Sequence, residues 1–177
     1  MRPRAFTAAV AGSALLFILL GPAAQAQDAA PDDVGSMDSI LTALYDVISG
    51  PAGEERDWNR FRSLFYDDAR LTPTRPSPAG GDEARVMTPE DYVQQVGPWL
   101  VASGFREHEI GRRVEQYGPV AHAFSAYEGE FTGPEGEQSL RGINSIQLFF
   151  DGDRWWVMSV LWAAETEERP LPEALLQ

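Results

Sequence analysis

The chain reads as an α+β protein: helices come first and a curled antiparallel sheet follows. Two observations carry that reading. Apolar residues recur at helical spacing up to about Gly104 and at every second position from Phe105 onward. In addition, Arg141 to Glu165 spells two long β-rich runs joined at Asp151-Gly152, a dipeptide favoured in two-residue hairpin turns because glycine accepts positive φ. Neither run has a clean polar face. Ile146, Leu148 and Phe150 fall on one side of the first, Ile143 and Phe149 on the other; in the second, Trp156, Met158, Val160 and Trp162 oppose Trp155, Val157 and Leu161. A sheet apolar on both faces needs cover on both. The helices supply one cover, and a second copy of the chain, in a homodimer, is expected to supply the other.

The elements follow in order. Arg2 and Arg4 precede an apolar run from Ala5 to Leu20, short for a membrane span, which Gly21-Pro22 breaks before Ala24-Gln25-Ala26. Residues 1–26 are expected to be a secretory signal cleaved after Ala26, with a retained N-terminal anchor as the alternative. Cleavage would deliver the chain to a periplasm or the outside. Residues 27–35 form a polar, proline-containing flexible lead-in. Ser36 or Asp38 starts a helix to about Ser49 with Ile40, Leu41, Leu44, Val47 and Ile48 as its apolar stripe, ended by Gly50-Pro51. Asp57 caps a second helix carrying Trp58, Phe61, Leu64 and Phe65. Thr72 to Arg85, rich in Pro and Gly, reads as a mobile surface loop. Thr88-Pro89-Glu90-Asp91 opens a third helix with Tyr92, Val93, Val96, Trp99 and Leu100 inward, closed by Gly104.

Strands are expected at 106–117, 120–131, 140–150 and 154–165, separated by Gly118-Pro119, Gly133-Pro134-Glu135-Gly136 and Asp151-Gly152. At such lengths antiparallel strands twist and curl, and helices on one side turn the sheet into a half-open cone. The domain spans 36–166, and the acidic, proline-broken tail 167–177 is expected to fray or to lie across a partner.

Composition excludes several functions. Of 177 residues, 27 are acidic and 14 basic, for a net charge of −13. Loss of the signal removes Arg2 and Arg4 and no acid, leaving 12 against 27, or −15. Nucleic acid and anionic membrane are therefore not expected partners of the mature chain. Every basic residue is arginine, so Schiff-base and P-loop lysines are ruled out; with no cysteine there is no thiol nucleophile, thiolate metal site, disulfide or lipid anchor.

Three segments carry a resemblance: Phe65-Tyr66-Asp67-Asp68-Ala69-Arg70-Leu71, Ala121-His122-Ala123-Phe124-Ser125-Ala126-Tyr127-Glu128, and Arg141-Gly142-Ile143-Asn144-Ser145-Ile146-Gln147-Leu148 with the Trp-Trp strand after it. Over residues 36–166 the chain resembles bacterial members of the nuclear transport factor 2-like (NTF2-like, SnoaL-like) superfamily. That group includes ketosteroid isomerase, scytalone dehydratase and SnoaL-type polyketide cyclases. The resemblance implies three N-terminal helices packed on a curved sheet, a pocket between them, and dimerisation through the other sheet face. It specifies no reaction, because the superfold hosts enzymes and binding modules alike.

The catalytic candidates are His122, a group that can donate, accept and shuttle protons near neutral pH, and Asp67 beside Tyr66. His122 and Tyr127, five residues apart on one strand, point to opposite faces unless a bulge intervenes. Asn144 shares its face with Ile146 and Leu148, where an amide either locks strands or meets a ligand. Arg141 either pairs with a strand acid or clamps an anion. Ligand candidates are Tyr66, His122, Tyr127, Arg141, Asn144 and Trp162. His108-Glu109 begins like a zinc motif without its second histidine, so no metal and no cofactor are expected. The expected role is binding of a hydrophobic small molecule; the alternative is a cofactor-independent lyase or isomerase acting on one. No acid–base set emerges at matching face and spacing, which favours the binding module.

Overall fold

The computed structural model describes residues 29–176, so the signal expected at 1–26 lies outside them. The helices are α1 (Pro31–Val34), α2 (Met37–Ile48), α3 (Trp58–Ser63), α4 (Pro89–Gln95) and α5 (Gly97–Ser103). The strands are β1 (Phe65–Pro76), β2 (Asp82–Ala84), β3 (Arg106–Tyr117), β4 (Val120–Gly133), β5 (Gly136–Phe150) and β6 (Trp155–Ala164), and a 3-10 turn, Glu173–Leu175, lies in the tail. They make one sheet of order β2-β1-β6-β5-β4-β3. The expected meander β3 to β6 is antiparallel throughout, but β1 adds to it parallel to β6, so the six-stranded sheet is mixed.

Local chemistry explains the helix boundaries. Ser36 caps α2 in a reciprocal exchange with Ser39, Asp57 caps α3 through the Arg60 amide, and Thr88 and Asp91 close a capping box on α4. α3 stops at Leu64, and Phe65 already belongs to β1. The third helix expected over 88–104 is two, because Pro98 has no N–H to continue the first. Gly97 sits at this break under Trp58, whose ring lies 3.0 Å from where a Cβ would be.

Thr72 to Arg85 is a hairpin rather than a loop. β1 continues to Pro76 and pairs with β2, Thr74 facing Ala84, and the turn is made by Gly80 and Gly81 at positive φ. Prolines are tolerated near a sheet edge, where few ladder bonds need their missing N–H. The β5–β6 connection is also longer than expected. Phe150 pairs with Trp155, leaving Asp151–Arg154 as a four-residue loop. Asp151 organises it by accepting from the Arg154 and Asp153 amides and from the Trp156 indole, which hold its carboxyl down to about 2.

Helices α2 to α5 cover one face of the sheet. Ile40, Leu41, Phe61, Leu64 and Leu100 pack there against Ala123, Ile146, Leu148 and Val157, all essentially inaccessible. A bulge at Met158 shifts the β5–β6 register between Gln147 and Leu148. Trp155 and Val157 therefore share the inner face with Val160 and Trp162, while Leu161 points out, 45% exposed, which corrects the alternation expected for this strand.

The outer face is partly covered by the chain's own tail. Leu171 and Leu175 are buried against Ile110, Phe124, Ala126 and Ile143, and the Leu171 amide donates to Glu165 at 2.8 Å. The tail fits because position 111 is glycine: a Cβ there would lie 1.7 Å from the Leu175 carbonyl oxygen. Arg56 fixes the roof. Its buried guanidinium donates to the carbonyls of Ile48, Gly50, Glu54 and Leu100, joining the ends of α2 and α5, and burial lowers its pKa. Among the described residues no helix is long and apolar enough to cross a membrane.

Candidate functional site

Between the helices and the inner sheet face lies a cavity of about 240 Å³. Leu44 and Ile48 of α2, Phe61 of α3, Tyr92 of α4, Leu100 of α5 and the strand residues Leu71, Leu140, Val160 and Trp162 make its walls. At the rim Trp99, 45% exposed, leans on Phe105 and Phe131. Tyr92 is held by stacking on Phe61, with ring centroids 5.4 Å apart, and by the edge of Trp162 at 6.3 Å. The lining is thus mostly apolar and aromatic, as small-molecule sites usually are.

One end of the cavity is polar, and its centre is Glu107. The residue reaches the inner face through a β-bulge at Ile110: past it Glu107 lies opposite Gly129 and Glu109 opposite Tyr127, whereas between the bulge and the β3–β4 turn it is the even-numbered residues of β3 that face the inner positions of β4. Asn144 Nδ2 donates to Glu107 Oε1 at 3.1 Å and to the Tyr45 hydroxyl at 3.1 Å. Tyr45 shares a 2.7 Å hydrogen bond with Ser125, which is fully buried and donates to Glu109. Glu109 in turn pairs with Arg112 at 3.3 Å, and Arg112 also contacts Asp38. Among the described residues no arginine or histidine forms an ion pair with Glu107.

Burial pushes the Glu107 carboxyl up to about 7 against the opposing pull of the Asn144 hydrogen bond. Burial also raises Tyr45, Tyr92 and Tyr127, all three further through the charge of Glu107, so all three remain protonated donors. Neither the Tyr92 nor the Tyr127 hydroxyl is hydrogen-bonded to another described residue, which leaves both for a ligand or water. The arrangement sets a carboxyl that can take up or release a proton near neutral pH beside two phenolic donors in a largely apolar space.

Of the residues singled out from sequence, Tyr127, Asn144 and Trp162 line this cavity and the others do not. His122 lies on the outer face, hydrogen-bonded to Ser145 at 2.9 Å, and points away from Tyr127 as strand parity demands. Arg141 is on that face too, paired with Glu165 at 2.8 Å. Tyr66 stands 42% exposed against the edges of Phe149 and Trp156, since β1 arches at Asp68, whose φ is 52°. Asp67 is exposed in the same arch. Sequence reasoning named Tyr92 only as core and missed Glu107. The one signal for Glu107 was its two-residue spacing from Phe105, a core residue, and from Glu109.

No family model matches the chain, and no curated protein does. Solved structures do. The chain is similar to LinA (TM-score 0.58, 12% identity, 75% of this chain and 85% of that one). It is also similar to the β subunit of an aromatic-ring-hydroxylating dioxygenase from Novosphingobium aromaticivorans (0.55, 15%, 75% and 88%). A calcium/calmodulin-dependent protein kinase II association domain from Xanthomonas campestris aligns with TM-score 0.52 and 16% identity over 80% of this chain and 96% of its own. At these identities the likeness speaks for the fold. Helices roofing a curled meander, with β1 added at its edge and a cavity between the two layers, make this chain an NTF2-like cone.

Proposed function

We propose that the cavity binds a small, largely apolar molecule carrying one carbonyl or hydroxyl, and that Glu107 exchanges a proton with it as general acid or base. The domain is on this reading a cofactor-independent isomerase or lyase. The observation that carries it is one carboxyl, partly enclosed and raised to about 7 by its loss of solvent, at the polar end of a cavity otherwise walled by apolar and aromatic side chains. Tyr92 and Tyr127 supply donors for the substrate oxygen, and Asn144 steadies the carboxylate once the proton has left. One similar structure carries the name of an aromatic-ring-hydroxylating dioxygenase subunit, and an aromatic guest is compatible with a cavity of this lining.

Plain binding without turnover is the second reading, and the tight Asn144 anchor on Glu107 favours it. Two measurements separate them. A thermal-shift screen of hydrophobic ketones, enones and phenols on the purified chain should find stabilisers, since a ligand at a hundred times its Kd adds about 2.7 kcal/mol. Deuterium uptake from solvent into the carbon next to a bound ketone should then depend on Glu107. Equal uptake with wild type and Glu107→Gln removes the catalytic half, and a screen without a single shift removes the binding. Export, and pairing of two copies through the uncovered part of the outer face around Val120 and Leu161, belong to the same proposal; the mass of the mature chain in solution tests the pairing.

A further inference from the structure

We infer that Glu109, Ser125 and Tyr45 form a one-way hydrogen-bond chain that holds the Asn144 amide with its NH2 turned to Glu107, which makes Glu109 a positioning residue for the cavity carboxyl. The inference rests on the reading of Glu107 as the acid–base group. Its direction follows from counting hydrogens. Glu109, ion-paired with Arg112, offers only acceptor oxygens, so the single proton of the fully buried Ser125 hydroxyl goes to it. The 2.7 Å bond between Ser125 and Tyr45 must then be donated by Tyr45. The Tyr45 oxygen is left as an acceptor, and it takes one hydrogen of Asn144 Nδ2 while Glu107 Oε1 takes the other.

Run backwards, the chain gives the opposite result. A Ser125 proton sent to Tyr45 forces the Tyr45 proton onto Asn144, and only its carbonyl oxygen can accept it. The amide then shows that oxygen to Glu107, two acceptors face each other, and the carboxyl must hold its proton to bond at all. A surface ion pair on β3 thereby decides the state in which a buried carboxyl meets its ligand. The other groups around Glu107 do not compete for this role. Tyr92 from α4 and Tyr127 from β4 face it as phenols, and Asp46, His108 and Arg112 surround the recess behind it that Tyr45 and Glu107 also line.

Carbon-13 titration of the Glu107 carboxyl in the full chain, assigned by its loss in Glu107→Gln, tests the inference without any ligand. In Glu109→Ala the Ser125 proton is released, the chain reverses, and the Glu107 midpoint rises by about one pH unit. Loss of a nearby negative charge alone would lower it, so the sign is decisive. Ser125→Ala should raise it as well, and Ser125→Thr, which keeps the hydroxyl, should leave it in place. Glu109 is near the surface and its removal is tolerated by folding more readily than a change at Ser125, so it decides the matter if Ser125→Ala does not fold. A fall or no change in Glu109→Ala overturns the inference. These results are independent of the activity: a midpoint that responds as stated while no ketone binds keeps the chain of bonds and discards the proposed function, and the converse discards the chain alone.

Discussion

The same strands carry two polar systems, and the two faces treat them differently. On the inner face, four side chains of β3, β4 and β5 and Tyr45 of α2 are joined from Glu107 to Glu109 in one network that meets a charged partner only at Arg112. On the outer face, His122–Ser145, Arg141–Glu165 and His108–Glu128 are separate pairs, partly open to water. Water screens the outer pairs and can replace either partner. Inside, removing one member strands the next, so the inner face is where charge and stability are coupled.

The largest expected effect comes from cutting the inner network in the middle. Asn144→Ala leaves both Glu107 and Tyr45 without their donor and should cost about 2–3 kcal/mol, more at pH 8 than at pH 5, by chemical denaturation. Next is Glu107→Gln. A carboxyl raised in the folded state contributes stability below its unfolded value near 4.5 that is lost as pH climbs through about 7. The wild type should therefore weaken between those limits by about 3 kcal/mol while the variant, with no charge to bury, stays flat. Equal slopes for the two would blur the contrast between the faces. Leu175→Ala, which empties part of the tail contact on the outer face, should cost about 1–2 kcal/mol and leave the Glu107 titration untouched. Smallest is Arg141→Ala, which breaks a water-screened pair and should leave the unfolding midpoint unchanged within error, with no effect on ligand-induced thermal shift. A large loss there would sharpen the comparison in the wrong direction, by giving the outer pairs inner weight.

The same contrast explains what the sequence made legible. Strand limits of β3 to β6 and the caps Ser36, Asp57 and Thr88 follow from local patterning, and the structure has them within a few residues. Faces are harder, because period-two alternation is reset by each bulge. Counting back from the Gly118-Pro119 turn puts Arg106 and His108 inside; the extra residue at Ile110 turns Glu107 and Glu109 in instead. Met158 does the same to Trp162, and the arch at Asp68 throws Tyr66 out. Asn144 and Tyr127 were readable because no bulge interrupts the β4–β5 ladder. The β1–β2 hairpin was hidden by Pro73 and Pro76, which β1 tolerates because β2 is only three residues long and the pairing with β6 ends at Thr74.

Arg56 has a consequence for the size of molecule the cone admits. Its planar fork bridges carbonyls at the end of α2, in the connection that follows it and in α5, two of the helices that roof the cavity. An ammonium has three donors and no plane, so lysine at this position could not brace the same span. The distance from ceiling to sheet is thus set with the help of one side chain that is not part of the cavity wall. Relatives that relax this brace could accommodate thicker guests without altering a single residue on the cavity wall.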